Sequence, residues 1–564
     1  MPSLVQSVDW TELTPVVIPA ALAVVVLVAD LFLPRERRPL LGWLTAAGFL
    51  AAGLTLIPLR DGHRSTFCET GGGRSGGTQC SYAADHFTLV VQVLVLGGAL
   101  LTALLSLTQE PAGTVPAGRT VKGTGTVKPA GTVKATGTVK STGPVKLSGA
   151  AEFDAPQPGE YWFLLLSSAA GAALLPAARD LATLLVALEV TTLPAFALVA
   201  MRRGDRLASE AALKFFLSSV TATAVSLLGI SFVYAATGTL NLAAVAEGLT
   251  HTPGQLDTLA KVGAALTLVG FAFKLAAAPF HFWVPDTYAG APLPVAAYLS
   301  VVGKTAGFSG LILVTVIAFR PYDDVWGPVL GVLAALTMTV GNVGALRQRP
   351  DTDRSAVRLL AWSSIGQAGY LLVPMAAASS ADDPAHTIGT TVTYALMYAV
   401  VNLGAFAVAA LVTRTAPRGR ITDYRGLYAD KPLAALALGF FLLCLAGLPP
   451  GVIGLFAKVA VFSSAVGAQH GWLAVVMAVN VVIALVYYVR WTAVLFTSRE
   501  AGAGAGAAGV TELPAAGDVL AVDASAAVRT PLGLTAAIAL TAVAGIVLSG
   551  APQIVLRYAQ GTLL

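Results

Sequence analysis

Four ionisable side chains stand where the chain is otherwise apolar. Glu189 lies in LATLLVALEVTTLPAFALVAM, Lys274 in VGAALTLVGFAFKLAAAPF, Lys304 in PVAAYLSVVGKTAGFSGLILV and Lys458 in GVIGLFAKVAVFSSAV. A charge near the centre of a bilayer costs about 2.5–3.5 kcal/mol on insertion scales, so such residues face a bundle interior or a wet cavity and often mark an ion or proton path. One acid and three bases, each near the middle of its segment, read as a proton relay. A carboxylate near an amine favours the charged amine, and moving it away disfavours it. One unit of pKa is about 1.4 kcal/mol, and moving a proton against 100 mV costs about 2.3 kcal/mol. A swing of about two units therefore matches the work. The ordinary alternative for a lysine, snorkelling to the interface, is at odds with the depth of Lys274 in its run.

Other groups stand beside this set. Lys214, in SEAALKFFLSSV, has Glu210 four residues before it. That spacing suits either an ordinary helix pair or a relay member. His281 follows Lys274 by seven residues, on the same face if the helix continues. It suits a proton shuttle or a structural hydrogen bond at a break. Tyr394, Tyr398, Asn402, Ser363, Ser364 and Gln367 are candidates to hold ordered water or to act as interhelical glue.

The elements that must position these groups are membrane helices. The chain has 564 residues, 56% hydrophobic and 12% charged, with a mean hydropathy of +0.75. Soluble domains carry about 25% charged residues. Apolar runs match a hydrocarbon core, which takes about 20 helical residues. About 14 spans are expected, at 13–33, 39–58, 86–107, 160–178, 181–201, 208–236, 258–280, 292–319, 326–346, 356–378, 388–413, 432–466, 471–497 and 531–550. The fold class is thus an all-α polytopic membrane protein. The start, MPSLVQSVDWTEL, lacks the basic region of a cleavable signal.

Basic residues orient the spans. RERR (35–38), RRGDR (202–206), RQRPDTDR (347–354) and RTAPRGRITDYRGLYADK (414–431) alternate with loops poor in them. The basic set belongs in the cytoplasm, which places both termini and the loop holding Cys68 and Cys80 outside. There oxidation is possible, and the Gly-rich segment between the two cysteines can bend to let a disulfide form. Residues 108–158 hold a GTVK-like repeat with Lys122, Lys128, Lys134, Lys140 and Lys146 every sixth residue. They read as a disordered cytoplasmic linker. Residues 500–529 read as a second loose loop. Neither CxxC nor a Cys/His cluster appears, so a zinc or iron–sulfur site is not expected. No basic patch interleaves with aromatics, which argues against nucleic acid.

Two segments carry built-in breaks: KLAAAPFHFWVP (274–285), with Pro279, and GLPPGVIGLFAK (447–458), with Pro449 and Pro450. Proline removes a donor and breaks a helix. Paired broken helices point to inverted repeats with the site at the breaks, and each break here has a lysine beside it.

The run FKLAAAPFHFWVPDTYAGAPLPVAAYLSVVGKTAGF (273–308) closely resembles the signature of the subunit N family of bacterial NADH–quinone oxidoreductase, respiratory complex I. EAALKFF (210–216), the Glu189 span, DYRGL (423–427) and GLPPGVIGLFAKVAVF (447–462) resemble the same family in the same order. Subunits L and M and cation/proton antiporter subunits usually show a histidine-containing "HAATMV"-like stretch where this chain has AAYLSVVGK. The resemblance implies 14 helices with two inverted five-helix repeats. It implies redox-driven proton translocation in which Glu189, Lys274, Lys304 and Lys458 match the family's relay positions, and Lys214 and His281 also fall on family positions. The expected division is 1–107 (three helices), 108–158 (linker), 159–320 and 321–499 (the repeats), 500–529 (loop) and 530–564 (last helix). Partners would be the other membrane and peripheral subunits and the lipid of the bacterial cell membrane. NADH, FMN, iron–sulfur clusters and quinone would sit in or at other subunits, none in this chain. The competing readings are a cation/proton antiporter subunit and a non-pumping membrane scaffold.

Overall fold

The computed structural model describes residues 8–60, 62, 64–70, 78–107, 158–202, 204–498 and 531–555. The expected linker, apart from Pro158, and the expected 500–529 loop lie outside the described residues. The rest is a helical bundle in which eleven helices are long and apolar enough to cross a membrane. The most enclosed are His86–Ser106, Leu293–Ala318 and Pro384–Thr413. Around them, helices such as Trp10–Phe32 and Leu532–Gly550 keep large apolar side chains such as Leu31, Val543 and Ile546 exposed. Apolar residues point outward as well as inward, as in a protein solvated by lipid.

Local chemistry explains where several helices start. Asp9, Asp85, Asp180, Asp205, Asn241 and Asp383 each accept a backbone N–H in the first turn of the helix they precede, the ordinary N-cap bond. Arg206–Thr237 is the longest helix, at 32 residues, or about 48 Å. A short helix, Leu242–Thr250, follows it and was not expected from the sequence.

The structure corrects the all-helical expectation at one place. The loop that holds Cys68 and Cys80 is an antiparallel hairpin of β1 (Arg64–Thr70) and β2 (Thr78–Ala84), with the two cysteines in register and their sulfurs bonded. Its anchors come from several elements. Tyr82 donates its hydroxyl to the Glu12 carbonyl at 2.9 Å, and Arg179 N–H donates to the Ser81 carbonyl at 2.9 Å. Arg179 also pairs with Asp85.

The two breaks differ in detail from the spans read in the sequence. The span expected at 258–280 stops at Leu275, and Ala276 turns left-handed with φ 64°. The chain re-enters helix only at Val284–Gly290. The span expected at 432–466 is two helices, Pro432–Ala446 and Val452–Gly467, separated by Gly447–Gly451. Backbone groups freed inside lipid need protein partners, and they have them. Ala278 N–H donates to Thr337 Oγ1 at 2.8 Å, and Trp283 Nε1 donates to the Phe273 carbonyl at 3.3 Å. Gly447 and Leu448 N–H groups both return to the Leu443 carbonyl at 2.9 Å.

Candidate functional site: a buried amine axis

The glutamate stands on Leu181–Val199 and the first lysine on Gly254–Leu275. They do not bond to each other. Thr223 donates its hydroxyl to Glu189 Oε1 at 2.7 Å, and Lys274 Nζ donates to Ser219 Oγ at 2.7 Å. Ser219 and Thr223 are four residues apart on Arg206–Thr237 and so share a face. One turn of that helix therefore holds the acid and the base. The rings of Phe273, Phe196 and Phe215 surround Lys274 Nζ at 5.5–5.9 Å. They offer a cation attraction from their faces. A small cleft lies beside it, lined by Thr191, Thr192 and Tyr298 among others.

Lys304 and Lys458 share another geometry. Each amine donates to the carbonyl end of a broken helix. Lys304 Nζ reaches the Leu275 carbonyl at 3.1 Å, the residue after Lys274. Lys458 Nζ reaches the Leu445 and Ala446 carbonyls at 2.7 and 2.8 Å. A helix C-terminus carries about half a negative charge, so each amine sits on a fixed dipole end. Two glycines make room. A Cβ on Gly307 would lie 2.6 Å from Leu275 N, so only glycine lets the Lys304 helix lie against the break. Gly447 has φ +84°, and a Cβ there would lie 3.2 Å from Lys458 Cδ. The backbone before Lys304 widens into a π-helical turn, Leu299–Gly303, a distortion frequent at functional sites.

Polar side chains lie between the turn before Lys304 and the cleft at Lys458. Ser300, one turn before Lys304, accepts from Asn402 Nδ2 at 2.7 Å. The Tyr398 hydroxyl lies within hydrogen-bonding distance of Ser364 Oγ at 2.9 Å and of the Ser300 carbonyl at 3.3 Å. Gln367, one turn beyond Ser364, donates to the Tyr488 hydroxyl at 3.1 Å and accepts from Tyr394. Tyr488 is also bonded to Ser363. Gln367, Tyr394 and Tyr398 then line a small cleft together with Lys458. Of the side chains flagged in the sequence as water holders or interhelical glue, Tyr394 bonds Gln367 and Tyr398 bonds Ser364, while Asn402 bonds Ser300 and Ser363 bonds Tyr488.

Lys214 and His281 lie apart from these side chains. Lys214 Nζ pairs with Glu210 at 2.6 Å and with Asp286 at 2.8 Å. His281 lies within the first break, with its ring 5.9 Å from Trp362. Outside the spans, partial burial raises the Asp205 carboxyl, but the Arg354 hydrogen bond and charge outweigh it and hold the group below the usual carboxylate range. Pro279 and the Pro449–Pro450 pair lie within the two breaks. Among the described residues no group of three or more His, Cys, Asp or Glu could hold a metal ion. The sequence reading missed Ser219, Thr223, Ser300, Tyr488, Asp286 and Arg358. For Ser219 and Thr223 the available signal was their four-residue spacing on the helix beside Glu189.

A helical membrane bundle with two broken helices and buried amines on their carbonyl ends defines an antiporter-like membrane subunit. The family model described as NADH:quinone oxidoreductase/Mrp antiporter, TM, matches residues 178–484. NADH-quinone oxidoreductase subunit N 2 of Streptomyces griseus is 63% identical over 566 residues, covering 100% of this chain and 95% of that protein. The subunit N of Salinispora tropica is 41% identical, covering 88% of this chain and 87% of that one. A chain of Thermus thermophilus respiratory complex I with bound aureothin superposes with a TM-score of 0.66 at 27% identity, covering 97% of this chain and 100% of that one. A chain of the Mrp complex from Dietzia superposes at 0.72 with 21% identity, covering 98% and 96%, a likeness of fold alone. The chain belongs to the subunit N family of NADH-quinone oxidoreductases, within the antiporter-like membrane family.

Proposed function

We propose that this chain translocates protons across the bacterial cell membrane as subunit N of an NADH–quinone oxidoreductase. The complex is multi-subunit, and the redox chemistry belongs to its other subunits, where NADH, FMN, iron–sulfur clusters and quinone would bind. Protons pass along Glu189, Lys274, Lys304 and Lys458, with His281 and Lys214 near one end. One observation carries this reading. Lys274, Lys304 and Lys458 are 7%, 2% and 6% exposed, and their hydrogen-bond partners are neutral oxygens. Burial disfavours a charged amine and a nearby carboxylate favours it. The charge on such an amine therefore follows what moves near it, which a relay requires and a structural ion pair does not.

The fine architecture follows the same reading. Three more apolar segments join the eleven candidate spans: Gly159–Leu174, Ser355–Ala377 and the broken pair Pro432–Ala446 with Val452–Gly467. Fourteen crossings result, with both termini outside and two inverted five-helix repeats at 159–320 and 321–499. The presence of one break in each half supports the repeats.

The test is proton uptake into membrane vesicles energised by NADH. Lys274→Ala and Lys304→Ala should abolish or strongly reduce uptake in a complex that still assembles. Normal pumping by an assembled Lys304→Ala complex would remove that residue from the relay.

A further inference from the structure

A relay needs an entrance that closes, because a path open to both sides at once pumps nothing. At the end of the bundle that carries the basic loops, one carboxylate spans three elements. Asp286, on the short helix Val284–Gly290, accepts from Lys214 Nζ through Oδ2 and from Arg358 Nη2 through Oδ1, both at 2.8 Å. Lys214 stands on Arg206–Thr237, in the same half of the chain as the break. Arg358 stands on Ser355–Ala377, in the other half. The short helix is thus tied to both halves by one side chain. A second tie runs in parallel: Arg354 donates to the Ala289 carbonyl and to Asp205 Oδ2, both at 2.8 Å.

We propose that Asp286 is a positioning residue that, by clamping Lys214 to Arg358, closes this end of the proton path over His281 and the first break. The proposal rests on the relay reading above. Asp286, Lys214 and Arg358 are 33%, 45% and 39% exposed. Exposed ion pairs are individually weak, so the clamp opens and closes without a large barrier. The other six residues of the short helix are buried, so the motion open to it is a small displacement of a packed helix. Non-helical chain from Ala276 to Trp283 precedes it, apart from hydrogen-bonded turns, and Ala291–Pro292 follow it. His281 rides on that chain, five residues before Asp286. When Asp286 holds Arg358 the short helix lies against the second half, and when it releases Arg358 the end opens. Asp286 itself carries no proton in this scheme. It decides when the path beneath it meets water.

The experiment uses the whole complex in membrane vesicles and reads protons translocated per NADH oxidised. A clamp that cannot close lets protons slip back. Asp286→Asn should therefore lower the ratio by about two- to fivefold, the shift in closed-to-open balance expected from losing an exposed ion pair. Asp286→Glu should restore the ratio. Arg358→Gln should lower it similarly, and the double variant should fall no further, because both act through one clamp. An unchanged ratio in assembled Asp286→Asn or Arg358→Gln complex, whatever the loss in yield or in NADH oxidation rate, overturns the proposal and leaves Asp286 a structural tie. Fully additive losses overturn it as well. Lys304→Ala separates the two readings. If it pumps normally the relay fails, and if it is inactive while Asp286→Asn keeps the full ratio, only the clamp fails.

Discussion

Ser219 gives the sharpest test of how the acid and the first lysine communicate. Its hydroxyl accepts from Lys274 Nζ at 2.7 Å, and the side chain is 1% exposed. Ser219→Ala removes one oxygen from a helix interior and favours the helix locally, so the fold should survive. What is lost is a hydrogen bond to a charged group, worth about 1.5–3 kcal/mol. Among the described residues no second hydrogen bond holds the amine, and the rings of Phe196, Phe215 and Phe273 stand 5.5–5.9 Å from it. That loss is comparable to the roughly 2.3 kcal/mol of moving a proton against 100 mV. If the ammonium form of Lys274 is an obligatory step, pumping should slow by about one to two orders of magnitude, at 1.4 kcal/mol per tenfold. Ser219→Thr, which keeps the hydroxyl, should retain most activity. Proton uptake with NADH, normalised to the amount of assembled complex, reads both. Parental pumping by Ser219→Ala would show that the Lys274–Ser219 contact is packing and that the amine does not depend on it.

Four further outcomes follow from the same geometry. Glu189→Gln should pump severely less than the parent while Glu189→Asp keeps partial function, since charge matters more than reach; a Gln variant that pumps normally would make the acid structural. Ser219→Asp should also stall pumping in an assembled complex, because a carboxylate fixed on Lys274 forms a buried pair that costs about 3–5 kcal/mol to break; proton uptake at the parental rate would contradict this. Deleting about 115–150, a polar Gly-rich stretch of the kind that does not fold alone, should leave assembly and NADH-driven pumping nearly intact, and a large loss would show that the GTVK-like repeat binds something. Cys68→Ser with Cys80→Ser should lower the melting temperature of the complex, because closing a loop of this length stabilises by up to about 3 kcal/mol. Pumping per assembled complex should stay unchanged, and mass mapping of the non-reduced parent should find both thiols protected from alkylation.

The charged members of the axis were legible because a lysine or glutamate inside an apolar run stands against its background, and every step toward burial makes it more conspicuous. The hydroxyls were not. Serine and threonine are common packing residues between membrane helices, and choosing Ser219 and Thr223 requires knowing which face of Arg206–Thr237 meets Glu189. The Lys304–Leu275 contact joins residues 29 apart and depends on two helices packing closely. Gly307, one turn beyond Lys304, was its trace in the sequence. The hairpin was readable in principle: RSTFCET and TQCSYAA flank a Gly-rich segment, and Thr, Phe and Tyr around such a segment mark a hairpin. The helical reading of the whole chain hid it. Asp286 lies one residue past the segment read as a helix break and inside the run read as a family signature, so its carboxylate was not considered by itself.

The partners chosen for the amines bear on how a relay can turn over at all. A buried ion pair broken by removing one partner costs about 3–5 kcal/mol, which exceeds the roughly 2.3 kcal/mol of a proton stroke against 100 mV. A chain of lysines each held by its own carboxylate would stall at every step. Here Lys304 and Lys458 rest on the carbonyl ends of broken helices, and Lys274 rests on a hydroxyl. A helix end supplies about half a charge, and a hydroxyl supplies less. Such partners hold an ammonium in place without trapping it. They also make the breaks intelligible. An unbroken helix would spend the carbonyls of Leu275, Leu445 and Ala446 on its own next turn, whereas a helix that stops mid-membrane leaves them free for an amine arriving from a later helix. The prolines and the left-handed turns at Ala276 and Gly447 therefore create the acceptor that the amine uses, and the lysine in turn satisfies a backbone group that lipid could not.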